Sequence, residues 1–314
     1  MMRYTPYSSF LKKYFDVKVQ KLPLDVGATC PVRDGRLSRR GCSFCNAVSF
    51  SPNVCLHGKE VKEQLLRNIR FFERKTSGHE VCYLAYFQSG TNTYAPLPTM
   101  ASLIEAALMV DGVKGVVLAT RPDCLSEEWL AYLQLLADKT FVMIELGVES
   151  VSNEVLDRVG RGHHVEDSER AISLLHERNI PVCLHFILGL PGDSRESMLS
   201  QADFANRNHA EVIKLHQLQI LRGSIMAEEY KHFPQKFHLF GMEEYVSLLA
   251  DYLERLGPST AVERFVSQSP AGQLIAPRWG VKNDQVTFAL QKELEKRNSI
   301  QGSFHASMSS KISH

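Results

Sequence analysis

Three cysteines near the start of the chain carry the first chemical signal. Cys30, Cys42 and Cys45 are spaced Cys-x11-Cys-x2-Cys. Two thiolates at x2 spacing can grip one metal centre, and a third across a loop adds another ligand. Three thiolates can hold three irons of a [4Fe-4S] cluster and leave the fourth iron open to a small molecule. The same cysteines could instead form part of a zinc site, with Cys55 or His57 as the fourth ligand. Burial as plain hydrophobes suits them less, because residues 31–41 read Pro-Val-Arg-Asp-Gly-Arg-Leu-Ser-Arg-Arg-Gly, a polar stretch. The chain has seven cysteines, an odd number that argues against a disulfide framework and for reduced thiols. Cys82 and Cys183 fall in apolar strand-like runs and read as inert buried thiols; Cys55 and Cys124 fall near loops.

Other elements must position that cluster of thiols. Residues 22–28, 81–87, 115–119, 141–147, 181–188 and 211–219 are short apolar runs that read as strands. The spacing predicts helices over 60–75, 99–110, 152–158, 165–178 and 242–256. Two more are expected after the N-cap residues Ser126 and Ser194. Strand followed by helix, repeated with short connections, marks an α/β fold with a parallel sheet covered by helices. Six such units could form an open doubly wound sheet or an incomplete βα barrel, and periodicity does not choose between them. In either case chemistry is expected at the carboxyl ends of the strands, where the glycine-rich and polar loops lie. Residues 1–21 read as an N-terminal extension, 22–257 as the βα unit, 258–300 as a C-terminal helical extension and 301–314 as a flexible tail.

The 314-residue chain is 44% apolar and 23% charged, ordinary values that exclude a collagenous or wholly disordered protein. Net charge is +1, so no overall field drives the molecule onto nucleic acid or an anionic membrane. The balance hides an asymmetry: residues 1–80 hold 15 Lys/Arg against 7 Asp/Glu. No apolar run reaches the ~18 residues of a membrane helix. The start, Met-Met-Arg-Tyr-Thr-Pro, has no apolar signal core, so a cytoplasmic protein with no membrane partner is expected.

Several motifs stand in order along the chain. They are Gly41-Cys-Ser-Phe-Cys-Asn46, Tyr86-Phe-Gln-Ser-Gly-Thr-Asn-Thr-Tyr-Ala-Pro96, Thr120-Arg-Pro-Asp-Cys124, Glu145-Leu-Gly-Val-Glu-Ser150, Arg161-Gly-His-His164, His185-Phe-Ile-Leu-Gly-Leu-Pro-Gly192 and Leu274-Ile-Ala-Pro-Arg-Trp279. On these residues the chain resembles the radical S-adenosylmethionine (SAM) superfamily, and within it the YhcC/YtqA-like group. The long first gap between cysteines departs from the usual Cys-x3-Cys-x2-Cys and is shared by the branch that includes the Elongator catalytic subunit. The resemblance runs from about residue 4 to residue 298 and raises iron–sulfur well above zinc.

The resemblance implies a partial (β/α)6 barrel whose Cys30, Cys42 and Cys45 ligate a [4Fe-4S] cluster, with SAM on the fourth iron. One electron from the cluster would cleave SAM to a 5′-deoxyadenosyl radical that abstracts a substrate hydrogen. Gln88, Ser89, Gly90, Thr91 and Asn92 stand where the family binds the methionine amino group, although the family's glutamate is absent. Glu149 and Ser150 match positions that reach the ribose. Arg161, a guanidinium fork, suits the methionine carboxylate, and Gly189, Leu190 and Pro191 resemble the adenine-side motif. His185, Lys214 and His216 are the candidate catalytic residues, lying on strands where they would line the cavity. An ion pair between Glu145 and Lys214, and satisfied core histidines, are the structural alternatives.

Three functions compete. The first is modification of tRNA at the wobble uridine, where relatives are implicated in converting a carboxymethylaminomethyl group. The stretch Arg33, Arg36, Arg39 and Arg40 would contact phosphates. The second is radical chemistry on a small metabolite. The third is a zinc-stabilised binding protein without turnover. The first two imply a one-electron donor of flavodoxin or ferredoxin type.

Overall fold

Strand side chains alternate between two faces, and here the two faces meet different chemistry. The computed structural model describes residues 2–46, 60–74, 80–270 and 272–305. In chain order its elements are α1 (Tyr7–Leu11), β1 (Lys18–Leu24), α2 (Val61–Glu73), β2 (Val81–Phe87), α3 (Leu97–Leu108), β3 (Val113–Thr120), α4 (Glu127–Ala137), β4 (Phe141–Glu149), α5 (Asn153–Arg158) and α6 (Val165–His176). There follow β5 (Val182–Leu188), α7 (Arg195–Arg207), β6 (Val212–Gln217), β7 (Ile220–Leu221), α8 (Ile225–His232), α9 (Met242–Arg255), β8 (Ala261–Arg264), β9 (Leu274–Ala276) and α10 (Asn283–Lys296). The N-caps are as expected: Ser126 accepts from the Trp129 amide and Ser194 from the Ser197 amide.

Seven strands form one parallel sheet in the order β1-β2-β3-β4-β5-β6-β8, and β7 and β9 make a separate antiparallel pair. One distance decides between an open sheet and a barrel. Six interstrand spacings of ~4.8 Å would set the edges of a flat sheet about 29 Å apart. Yet Lys21 Nζ on β1 lies 2.7 Å from Glu263 Oε2 on β8. The sheet therefore curls into a partial barrel whose edge strands meet through side chains.

The outer face is apolar. Leu22, Phe87, Leu118, Ile144, Phe186 and Leu215 pack beneath Ile104, Leu130, Ile172, Phe204 and Leu249 of the helices. The inner face is layered. At the amino ends of the strands Leu84, Val117, Met143, Cys183, Val212 and Ala261 form an apolar floor, closed by Phe10 and Leu11 of α1. The amide of Val262 donates to the carbonyl of Thr5 at 2.8 Å, and Phe10, Tyr14 and Phe15 surround the Phe141 ring. Among the described residues no helix is long and apolar enough to cross a membrane.

Three boundaries differ from expectation. The first strand begins at Lys18 rather than residue 22 and stops at Leu24, because Asp25 Oδ1 accepts from the Gly27 amide and turns the chain. Residues 18–21, expected in the extension, thus belong to the sheet. The stretch expected as a helical extension from 258 supplies the seventh strand, β8, as well as α10. The first four residues of β1 and the whole of β8 escaped because their inward residues, Lys21 and Glu263, are charged. Residues 301–305, expected in a flexible tail, are seated: Gln301 Nε2 donates to the carbonyls of Gly257 (2.7 Å) and Thr260 (2.8 Å), and its Oε1 accepts from the Thr5 amide. Residues 306–314 lie outside the described residues.

If α1 is the floor of the barrel, Phe10→Ala should lower unfolding free energy by about 3 kcal/mol. A urea titration checks this, and an unchanged midpoint would show that the floor does not depend on that ring.

Candidate active site

Above the apolar floor lies a layer of charge. Glu145 of β4, 1% exposed, accepts from the Tyr86 hydroxyl at 2.6 Å and from Lys214 Nζ at 2.9 Å. It also accepts from Lys21 Nζ and from His185 Nε2, the latter at 2.7 Å. Glu263 of β8 bridges the same two lysines, at 2.7 Å from Lys21 and 3.2 Å from Lys214. Two lysines and two glutamates balance. Burial works against the Glu145 carboxylate, but Lys21, Lys214 and His185 hold it well below the usual carboxylate range. Burial and Lys214 push His185 down to about 4, so its imidazole is neutral, with the proton on Nε2 facing Glu145. The expected Glu145–Lys214 pair is present. Lys214 is engaged with Glu145, Glu263 and Tyr86, and it does not line the cavity above.

At the carboxyl ends of the strands a cavity of about 700 Å³ opens, a size suited to a nucleotide-like ligand. Cys30, Cys42 and Cys45 all line it. Their loop is tied down on two sides. The Ser43 amide donates to the Val159 carbonyl at 2.8 Å, and the Met226 amide donates to the Ser43 carbonyl at 2.9 Å. Burial pushes the Cys45 thiol up to about 12, against the pull of Arg33. A bound cation is what would make such a thiol a thiolate.

Arg161, expected to face a carboxylate, is held beside the cysteines. Its Nη1 lies 3.6 Å from Cys42 Sγ, Nη2 donates to the Gly147 carbonyl at 2.6 Å, and Nε donates to His163 Nε2 at 3.0 Å. His163 is therefore a neutral acceptor, pushed down to about 3 by burial and by Arg161. Glu149, at φ 71°, turns back to within 3.5 Å of Arg161 Nη2. This crowding dictates glycine at 147, where a Cβ would stand 2.5 Å from Arg161 Nη2 and 2.7 Å from Glu149 Oε1. Gly90 is fixed the same way: at φ +75° its Cβ would meet the Ala28 carbonyl oxygen at 2.0 Å.

Of the other expected residues, Gln88, Ser89, Gly90, Thr91, Glu149, His185 and His216 line the cavity. Asn92, Ser150, Gly189, Leu190 and Pro191 do not. Asn92 Nδ2 instead donates to the Phe87 and Ala119 carbonyls, holding β2 to β3, and the Ser150 hydroxyl donates to Asp193. Leu190 is packed in an apolar cluster with Val32 and Phe44. Cys55 and His57 lie outside the described residues. Cys124 is pushed up to about 12 by burial and by Asp123.

Two arginines that line the cavity had no role expected from the sequence. Arg121, 2% exposed, grips Asp123 with two 2.9 Å bonds and donates to the Arg161 carbonyl at 2.7 Å. The motif Thr-Arg-Pro-Asp, with an acid two residues from the arginine, was its available signal. Arg264 sits on the unforeseen β8.

The spacing of the donors bears on whether a cluster or a single ion would fit. Among the described residues, the one trio of His, Cys, Asp or Glu with ligand atoms all within 4.8 Å is Glu145, Cys183 and His185, already occupied by the two lysines. The three loop thiols share a cavity without converging so closely. Zinc, with Zn–S bonds of ~2.3 Å, draws its sulfurs to within about 4 Å of one another. A wider set fits a group in which each thiolate takes a separate iron.

A family model described as the Radical SAM superfamily matches residues 35–205, and one described as the Radical_SAM C-terminal domain matches residues 210–296. The chain is 34% identical over 304 residues to the uncharacterized protein YtqA of Bacillus subtilis (strain 168), covering 96% of this chain and 92% of that one. It is 32% identical over 270 residues to protein YhcC of Escherichia coli (strain K12), covering 86% and 85%. Over 185 residues it is 29% identical to a tRNA uridine(34) acetyltransferase of Methanocaldococcus infernus, covering 57% of this chain and 33% of that enzyme. The solved structure of the archaeal Methanocaldococcus infernus Elp3 aligns with a TM-score of 0.69 at 19% identity, over 91% of this chain and 64% of that chain. At that identity the likeness speaks for the fold alone.

The charge layer predicts its own test. Glu145→Gln leaves two buried ammonium groups with Glu263 as their one carboxylate and should destabilise the fold by about 3–5 kcal/mol at pH 7. The native carboxylate, with its depressed pKa, contributes stability above the unfolded value of ~4.3 and loses it as pH falls toward the folded value. The gap between wild type and variant, read from urea midpoints, should therefore narrow below about pH 4. A gap independent of pH would contradict the assignment.

Proposed function

The chain belongs to the radical SAM superfamily, in its YhcC/YtqA-like group, and from that premise we propose that it modifies the wobble uridine of tRNA at a carboxymethylaminomethyl substituent. As a member it is an enzyme, which sets aside the zinc-stabilised, non-catalytic reading. Cys30, Cys42 and Cys45 would hold a [4Fe-4S] cluster, which with SAM and one electron supplies a 5′-deoxyadenosyl radical for hydrogen abstraction.

The chain's own residues do the rest. Arg161 places a fixed positive charge beside Cys42, countering the negative charge that thiolate ligands bring. Gly90 and Gly147 let backbone stand where any side chain would intrude. The neutral His185 closes the chamber above the charge layer, and its unprotonated Nδ1 can accept a hydrogen bond. The apolar floor and α1 keep water from entering from the amino ends of the strands.

The observation that carries the tRNA reading is the basic lip of the cavity. Arg33 lines the cavity, and Arg36, Arg39 and Arg40 on the same loop are exposed. The Arg36 guanidinium lies 5.5 Å from the centre of the Tyr94 ring, an arginine–aromatic platform of the kind on which single-stranded bases stack. Phosphates on the lip would present an unstacked base to the chamber. The likeness to a tRNA uridine(34) acetyltransferase points the same way. The reading includes a cytoplasmic enzyme served by a flavodoxin- or ferredoxin-like donor.

Two experiments test these statements. Cys42→Ala or Cys45→Ala should remove the iron and reductive SAM cleavage, while Cys82→Ala, at the amino end of β2 and outside the cavity lining, should keep both. Iron analysis and 5′-deoxyadenosine assay read the outcome, and the reverse pattern would overturn the ligand assignment. Nucleosides of tRNA from cells with and without the gene should differ at the wobble uridine. An unchanged profile, with purified protein that fails to retain tRNA at moderate salt, would leave a small metabolite as the substrate.

A further inference from the structure

The β7–β9 pair has no part in the chamber: neither its residues nor the arginines that flank it line the cavity. It lies instead against the cysteine loop from outside. Ile220 of β7 belongs to one apolar cluster with Cys42 and Phe44, and Cys45, Ile275 and Ala276 pack against that cluster. Asn46, the residue after Cys45, donates from Nδ2 to the Arg222 carbonyl just beyond β7. All three residues of β9 are half-buried, so the strand meets the site on one side and solvent on the other.

Two cations stand on this outer face. Arg222 and Arg278 are exposed, and each is held by backbone carbonyls. Arg222 Nε donates to Gly272 at 3.0 Å, and Arg278 donates to Ile275 (3.1 Å) and Leu274 (3.3 Å). Among the described residues neither meets a carboxylate. On α6, α7 and α9, by contrast, every arginine meets an acid: Arg170 has Asp167, Arg195 has Asp251, Arg207 has Glu169 and Arg255 has Glu196. The difference is written in the chain, since residues 212–227 and 265–283 contain no Asp or Glu. Ile225, 42% exposed, adds apolar surface three residues from Arg222.

A basic patch backed by the cysteine site fits one kind of partner. The site needs an electron, and the chamber mouth is where substrate enters. A carrier that delivers the electron while the chamber is filled has to approach from outside it. Electron-transfer complexes are small and weak, and charge steers their encounter. RNA is the other polyanion, but the patch offers it no stacking ring. Trp279 turns inward, with Nε1 donating to the Phe240 carbonyl at 2.9 Å and its ring centre 5.2 Å from that of Tyr245.

We propose that the outer face of the β7–β9 pair, with Arg222 and Arg278, is the docking surface of an acidic one-electron carrier, which reduces the cluster by way of Ile275, Ala276 and Cys45. The assignment rests on the reading of Cys30, Cys42 and Cys45 as cluster ligands and deepens it by giving the donor a place. One electron passes: an anionic flavin hydroquinone becomes the neutral semiquinone, and the oxidised cluster takes the electron. No bond forms or breaks, and no proton moves.

The test mixes the full chain, with its cluster oxidised and without SAM, against an acidic bacterial flavodoxin in its hydroquinone form, and follows bleaching of the cluster in an anaerobic stopped-flow cell. Photoreduced deazariboflavin, a small reductant that needs no docking, is the comparison. Arg222→Glu/Arg278→Glu should slow reduction by flavodoxin about tenfold at low salt and leave reduction by deazariboflavin unchanged. Arg222→Gln/Arg278→Gln should fall between, and the gap should close by about 1 M salt, where the screening length is ~3 Å. Arg207→Glu/Lys292→Glu, the same change of charge on α7 and α10, should keep the wild-type rate. Calorimetric titration with oxidised flavodoxin, in which no electron passes, should rank the affinities in the same order. Unchanged flavodoxin reduction in the Arg222→Glu/Arg278→Glu protein, an equal loss in the charge-matched control, or lost tRNA retention with flavodoxin reduction intact would each overturn the docking surface, the last in favour of RNA. Iron content and the deazariboflavin rate report on the cluster itself. A failed cluster assignment shows there, and a failed surface shows only in the flavodoxin rate.

Discussion

The structure turns on the carboxylate of Glu145. It accepts from Lys21, Tyr86, His185 and Lys214, side chains of four other strands, and so ties β1, β2, β5 and β6 to β4 at one depth. Glu263 completes the knot from β8 and joins the two edge strands, which share no backbone ladder. A partial barrel lacks the closing hydrogen bonds of a complete one. Here ion pairs do that work, with α1 wedged beneath them. A buried pair is weak evidence for net stability, but its geometry is demanding. Demanding geometry is what fixes the curvature of the sheet, and with it the distance across its open end.

That curvature places the site. Elements far apart in the chain reach one cavity: the cysteine loop after β1, the turn after β2, Gly147 and Glu149 on β4, Arg161 after α5, and His216 and Arg264 at the far edge. Each is held by backbone as much as by side chain. The Cys42 region is pinned to Val159 and to Met226, and Arg161 is fixed by Gly147, His163 and Cys42 before any ligand enters. Donors fixed in advance, in a partly enclosed chamber, need little rearrangement on binding. The chamber is also graded in chemistry, from arginines at the lip, through thiols, to histidines and a balanced ionic layer.

Much of this was legible in the chain. Helices announced themselves by caps and apolar spacing, and the central strands by dense runs of Val, Leu, Ile and Phe. The first half of one edge strand and the whole of the other did not. Lys18-Val-Gln-Lys21 and Ala261-Val-Glu-Arg264 read as polar segments because their inward side chains answer charges on other strands, which no local pattern reveals. Asn92, Ser150 and the Gly189–Pro191 turn sit in motifs that looked like ligand contacts. In the fold their hydrogen bonds and packing go to the protein itself.

The sequence by itself determined what is local or chemical. The thiol spacing, the alternation of strand and helix, the positions of the caps and the family resemblance are properties of neighbouring residues and their order. Tertiary structure alone decided that the sheet curls, that Lys21 and Lys214 share two glutamates, that Arg161 leans on Cys42, and that Arg264 is left without an acid. The physical reason is that a charge in a sequence carries no partner with it. Whether it is neutralised, stranded or aimed at a ligand depends on which distant strand packs beside it.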